Sequence, residues 1–190
     1  MRFMFVPSLL IAVWVAAGCA TRRADHFYAL AVQPAQSSAS HAGFARQINL
    51  HVTLPSLVDR AEMVLTSGAQ VSILEHERWA SPLPDQVVAT LGQDIEARRA
   101  DLVIAGRSLE QRQLPESRIS VEIVHWTAQR SGELSIETRW RVTDSASGKV
   151  TVGRDLFSAA LRADGYDAVA VALSACVAQL ADRLVLEIPS

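Results

Sequence analysis

From residue 47 onward the chain alternates between apolar and polar positions. Gln47 to Leu54 puts Ile48, Leu50, Val52 and Leu54 on one side, with His51 opposite, the period-two mark of a half-buried strand. Phe27 to Leu30 reads as a short strand before it. Between them, Ala31 to Arg46 is rich in Ser, Ala and Gln and shows no period, as expected of a loop. Pro55 to Glu62 breaks the pattern. Met63–Thr66 and Gln70–Glu75 follow as two strands of a hairpin turning at Ser67-Gly68-Ala69. Arg118–Ala128 alternates through Ile119, Val121, Ile123 and His125 against Val124 and Trp126. Leu134–Val142 sets Leu134, Ile136, Thr138, Trp140 and Val142 against Glu137, Arg139 and Arg141. With Val150–Leu161 these strands, joined by turns at Ser131-Gly132 and Asp144–Lys149, predict an antiparallel meander.

Two stretches change period. After Arg78–Asp85, with Pro84 in a first helical turn and Ser81 as its cap, Val87, Val88, Leu91, Ile95 and Ala97 form an apolar stripe reaching Arg99. Gln86, Gln93, Glu96 and Arg98 suit the solvated side. A second helix begins after Asp164, as cap, and runs from about Tyr166 to Leu186, burying Val169, Leu173, Cys176, Val177, Leu180 and Leu184. Asp101–Gly106 is a compact apolar run typical of a central strand. The order of strands, helix, strands, helix predicts an α+β single domain: a mixed, mostly antiparallel sheet with two helices packed on one face.

The first nineteen residues follow a different rule. Arg2 precedes an apolar run from Phe3 to Ala17, interrupted by Pro7 and Ser8, and the run closes on Ala16-Ala17-Gly18-Cys19. A cationic start, a short apolar core and small residues make a secretory signal. The run is about fifteen residues, short of the roughly twenty that span a bilayer. The closing tetrapeptide resembles a bacterial lipobox, with Ala16 where leucine is usual. The reading is a lipoprotein signal over 1–18, a lipidated tether over 19–26 and a domain over 27–190, with diacylglycerol and an N-acyl chain on Cys19. Ala20 to His26 span about 25 Å when extended, which holds the domain close to its membrane.

Composition narrows the function classes. The chain is 49% hydrophobic with a net charge of −2, one unit more negative once Arg2 is removed. That balance gives no electrostatic reason for a nucleic-acid partner or a strongly basic membrane face. Of two cysteines, Cys19 is spoken for by the anchor, and Cys176 within an apolar stripe reads as a small core residue. The five histidines, at 26, 41, 51, 76 and 125, have no zinc-like spacing. Gly106-Arg107-Ser108 and Gly148-Lys149-Val150 lack the rest of a phosphate cradle, and there is no Gly-x-Ser-x-Gly elbow. Glu75-His76-Glu77 reads as a solvated strand end, and His125-Trp126 as a packed or edge position. No cofactor or metal is expected, and the chain reads as no enzyme, a periplasmic hydrolase being a remote option.

Two segments carry a family resemblance. Leu54-Pro55-Ser56-Leu57-Val58-Asp59-Arg60-Ala61-Glu62-Met63-Val64 and Arg78-Trp79-Ala80-Ser81-Pro82-Leu83, read with the lipobox and Phe27-Tyr28-Ala29-Leu30, resemble the PqiC-type lipoproteins, auxiliary components of ABC-type intermembrane lipid transporters built on MCE-domain proteins. Ser56-Leu57-Val58 stands where that family more often has an aromatic and a leucine. Asp59, Arg60 and Trp79 are candidates for scaffolding or for partner docking: Asp59 accepting hydrogen bonds from its own turn, Arg60 bridging to a carboxylate, Trp79 pinning the first helix. The resemblance implies a non-enzymatic lipoprotein on the periplasmic face of the outer membrane. It would dock a periplasm-spanning MCE-domain protein, act indirectly with an inner-membrane transporter component and contribute to outer-membrane integrity. Ala20 agrees, since inner-membrane lipoproteins commonly carry Asp after the cysteine. A homo-oligomer around the partner's tip is a further expectation without a sequence signature. The alternative is a structural or assembly envelope lipoprotein with no part in lipid transport.

Overall fold

The computed structural model describes residues 23–34, 46–105, 117–129, 132–162 and 165–189. The expected signal, Cys19, most of the 31–46 loop, Ser131, Asp164 and Gly106-Arg107-Ser108 lie outside them. The elements are β1 (His26–Tyr28), β2 (Arg46–Thr53), β3 (Glu62–Ser67), β4 (Gln70–Trp79), α1 (Leu83–Arg98), β5 (Leu102–Ile104), β6 (Ser117–Ala128), β7 (Glu133–Thr143), β8 (Val150–Ala160) and α2 (Asp167–Val185).

The α+β class holds, with both helices on one face of the larger sheet: α1 packs on β2 and β5, α2 on β7 and β8, and the helices on each other. The strands divide into two sheets rather than one. A five-stranded sheet runs β5-β2-β6-β7-β8 and a three-stranded one β1-β4-β3. β2 is parallel to both β5 and β6, and β1 is parallel to β4. The β3–β4 hairpin and the β6-β7-β8 meander are antiparallel. Gly68 turns the hairpin at φ +58°, a left-handed conformation that side chains with a Cβ resist.

The alternating residues do what their period requires. Ile48, Ile119, Leu134 and Ile136 are fully buried under α1 and α2, where Leu91, Ile95, Leu173 and Leu180 meet them. Burying such a side chain stabilises by about 1.5–3 kcal/mol each. Cys176 is buried there, its thiol pushed up to about 12 chiefly by burial. By length and hydropathy α2 could cross a membrane, but 67% of that window is buried inside the domain, as in a core helix.

Four local expectations change. Within the apolar run from Asp101, Leu102–Ile104 forms an edge strand, not a central one, because among the described residues β5 pairs with β2 alone. A bulge between Ile123 and His125 inverts the β6 alternation, so Trp126 is buried and His125 exposed. Ser81 makes no side-chain cap: its carbonyl instead accepts from Gln86 Nε2 (2.9 Å), and Gln86, expected in solvent, is buried. β4 extends to Trp79, held in register by β1 from the far N-terminus.

The Asp144 turn ties three strands together. Its carboxylate accepts from Ser147 Oγ (2.5 Å) and N (3.2 Å), Ser117 Oγ (3.1 Å) and Arg46 Nη2 (3.1 Å). The Ser147 hydroxyl, then Ser117 and two turn amides, hold its pKa down at about 2, against the pull of desolvation. A carboxyl depressed in the folded state stabilises fully above its ordinary pKa near 3.8, and that contribution is lost as pH falls through about 2. Urea melts between pH 5 and 2 are expected to show this loss in the wild type and a flatter profile in Asp144→Asn.

Candidate functional site

The end of the domain nearest the N-terminus gathers its polar side chains. β1 joins the edge of β4 in parallel, with His26 opposite Glu77, Phe27 opposite Arg78 and Tyr28 opposite Trp79. Parallel pairing is slanted and slightly weaker per residue than antiparallel, and three residues supply little of it. Side chains reinforce the joint. Tyr28 Oη donates to Glu77 Oε2 (2.6 Å), and His26 Nδ1 lies 3.2 Å from Glu77 Oε1. His76 Nδ1 lies 2.9 Å from Asp25 Oδ1, and Arg78 reaches Glu62 of β3 at 3.3 Å. Burial, then the Glu77 carboxylate, pushes the Tyr28 phenol up to about 12. Burial alone would raise Glu77, but the hydrogen bonds from Tyr28 and His26 outweigh it and the pKa falls. Asp25 and His26, expected in the tether, are therefore part of the folded unit.

Beyond β1 the chain is strapped to the helices. Leu30 N donates to Gln86 Oε1 (2.9 Å), Ala31 N to Ser174 Oγ (3.1 Å) and Gln33 N to Asp94 Oδ1 (3.0 Å). All three acceptors are buried on α1 or α2. Asp94 is fully buried. Desolvation raises its pKa, with Gln33 N and Arg98 opposing, and Arg98 also pairs with Asp182 of α2. Asp94→Ala leaves the Gln33 amide without an acceptor and takes a buried carboxylate from Arg98, which keeps the residue-94 carbonyl (2.8 Å) and Asp182, and is expected to cost about 2 kcal/mol, with faster hydrogen exchange at Gln33. Asp94→Asn keeps an acceptor and removes a buried charge, so it is expected to be near neutral in the same denaturation assay.

The residues nominated from the sequence meet at one corner. Trp79 N donates to Ala61 O (2.7 Å), which brings the Asp59–Arg60 turn beside Trp79. Trp79 is buried and Asp59 exposed. Asp59 is held through its backbone, its N–H donating to Pro55 O (3.1 Å). Among the described residues Arg60 makes no ion pair, and its Nε is buried without a partner. The His26–Glu77 and Asp25–His76 contacts were missed, although Glu75-His76-Glu77 stood out. Their partners lie 51 residues away across a parallel joint, which no local period reveals.

Among the described residues no three His, Cys, Asp or Glu side chains converge as a metal site. The model for the family described as "ABC-type transport auxiliary lipoprotein component" matches residues 28–185. No curated protein matches. Among solved structures, one described only as an uncharacterized protein is 21% identical, covering 88% of this chain and all of its own, with a TM-score of 0.71. Protein XCC0632 from Xanthomonas campestris is 14% identical over 84% of this chain and 92% of its own, with a TM-score of 0.65. At these identities the likeness is one of fold.

Proposed function

From the premise that this chain belongs to the ABC-type transport auxiliary lipoprotein component family, we propose that it is the outer-membrane docking component of an MCE-type intermembrane lipid transport system. The family is one of transport auxiliaries rather than enzymes, and membership implies both a membrane anchor and partners in a transport complex. The finer reading adds lipidation of Cys19, residence on the periplasmic face of the outer membrane, an MCE-domain partner, a part in outer-membrane integrity and, as one arrangement, a homo-oligomer at the partner's tip. No cofactor beyond the acyl chains on Cys19 enters it. Asp59, Arg60 and Trp79 belong to it as a docking corner: Asp59 at the surface, Arg60 half-buried beside it, Trp79 as the buried support.

The observation that carries the reading is the match over residues 28–185 placed behind a lipobox with so little chain between. Since Asp25 and His26 are held by the fold, only Ala20 to Ala24 are left as tether, about 17 Å when extended. A domain on that leash cannot cross the periplasm, so a periplasm-spanning partner must come to it. The test is binding of the purified full chain, in detergent micelles, to a purified MCE-domain protein from the same organism. A saturable complex is expected, and no complex at tens of micromolar protein would contradict the reading.

A further inference from the structure

Among the described residues no helix packs on the face of the five-stranded sheet opposite α1 and α2, where the three-stranded sheet reaches only β6 through β3, and no strand pairs with the outer side of β8. β8 matches β7 rung for rung from Val150↔Thr143 to Ala160↔Glu133 without a bulge, so its free side is a long, regular edge. Folded proteins usually blunt such edges with bulges, prolines or inward-pointing charges. β8 has one such charge in Asp155, turned toward Trp140 and Arg183, and Arg154 on its other side, but it also displays Val150, Val152 and Leu156, exposed by 49%, 61% and 71%, on the face away from the helices. One apolar side chain in solvent is ordinary, but three along one edge strand form a patch. Near its C-terminal end the strand is tied to α2, where Gln179 Nε2 donates to Ser158 O (3.0 Å).

On the same face four arginines, Arg118, Arg139, Arg141 and Arg154, stand against three glutamates, Glu122, Glu133 and Glu137. Arg141 lies beside Val152, and Arg139 beside Arg154, in register, while Arg118 follows on β6. Arg154 pairs with Glu137, and Arg139 lies 4.0 Å from Glu122. Arg118 and Arg141 have no ionic or hydrogen-bond partner among the described residues. A shallow groove of about 690 Å³ crosses Arg139, Arg141 and Val152. Lys149 is the only lysine, so the chain's basic side chains are otherwise arginines, whose planar fork matches a carboxylate in two parallel hydrogen bonds.

We infer that the free edge of β8 accepts an extended acidic segment of a partner protein as a sixth strand, its carboxylates reaching over Val152 to Arg141 while Arg118 and Arg139 extend the attracting field. Main-chain hydrogen bonds would hold such a strand, and alternate side chains would select it. A second copy fits less well. Antiparallel pairing about the middle of β8 sets Asp155 opposite its own counterpart, and like charges at that range are destabilising. An anionic lipid surface answers the arginines but leaves the edge's N–H and C=O groups without strand partners. The inference rests on the transport-auxiliary reading for whose segment binds, not for whether the edge accepts one.

The test is amide hydrogen exchange on the full chain in detergent micelles. The probe is an acetylated octapeptide of alternating Glu and Val, and its Lys/Val counterpart is the control. The acidic peptide alone is expected to slow exchange across Val150–Phe157, and to do so much less in about 1 M NaCl, where the Debye length is about 3 Å. An Arg118→Glu/Arg141→Glu variant, changed at two exposed positions, is expected to bind about tenfold or more weakly with an unchanged melting temperature. The inference is overturned by equal binding of the basic peptide, by protection elsewhere or by none. Slowing that follows protein concentration alone would assign the edge to a second copy, and slowing by phosphatidylglycerol vesicles alone would assign the face to a membrane; either also overturns it. Because the probe contains no transport protein, this result and binding of the MCE-domain protein succeed or fail separately.

Discussion

Replacing Gly153 by alanine is expected to destabilise the domain by about 3 kcal/mol, at the upper end of the usual range for overpacking. A Cβ at this position would sit 2.1 Å from Trp140 Cζ2 and 2.5 Å from Cε2, well inside any real contact. The indole has little room to move. Trp140 is buried, its Nε1 donates to Asp155 Oδ2 (2.6 Å), and the Arg183 guanidinium lies 5.0 Å from the ring centroid. Arg183 in turn reaches Asp155 (3.6 Å) and Glu187 (2.5 Å), so the cluster joins β7, β8 and α2. The sign of the effect is informative. Gly153 has no positive φ, and alanine at such a site otherwise stabilises by about 0.4–1 kcal/mol by restricting the unfolded chain. Urea denaturation decides it. A second substitution, Trp140→Leu, is expected to relieve the clash so that the double variant loses less than the two single losses added together. A neutral Gly153→Ala would mean that Trp140 is not fixed where the geometry puts it.

The second large effect concerns location. Cys19→Ala is expected to leave the fold intact, since the folded unit begins at Asp25 and His26, and to remove the domain from the membrane. Each buried CH₂ of an acyl chain contributes about 0.8 kcal/mol of membrane affinity, and stable anchoring takes more than one chain. Without the cysteine the proposed acyl chains have no attachment point. Cell fractionation with a size comparison measures this: mature-sized Cys19→Ala protein still in the membrane fraction would contradict the anchor. On a sucrose gradient the wild type is expected with outer-membrane markers, in keeping with Ala20 rather than Asp after the cysteine.

What could be read from the sequence followed from strict local periods. β2, β7 and α2 came out within about two residues because a single face of each is buried, and one face is what a period reports. The losses came where partners are distant in the chain. Two sheets cannot be told from one by alternation, since the pattern marks a buried face but not which strand lies beside it. The bulge after Ile123 adds one residue and so exchanges the fates of His125 and Trp126. Gln86 looks like a solvated helix position, yet it and Asp94 are both buried, where they serve as acceptors for the strap at Leu30–Gln33. The polar joint at β1 was half visible. Glu75-His76-Glu77 drew notice for its composition, but Asp25, His26 and Tyr28 were placed against it only by a parallel pairing across 51 residues.

These features describe one object: a folded domain whose first strand is fixed by side chains to β4, with its polar strap locked into the helices and, among the described residues, one sheet face without a helix on it. Its proposed role is to wait at the membrane for a transport protein that spans the periplasm. Crosslinking in intact cells tests this most directly. A short amine-independent photocrosslinker placed at an exposed position such as Asp59 or Val152 would be activated in cells carrying the MCE-domain protein at its natural level. The account predicts a discrete adduct containing that protein, formed by the wild-type anchor and sharply reduced when Cys19 is replaced. Adducts with other envelope proteins from both positions, and none with the MCE-domain protein, would contradict it.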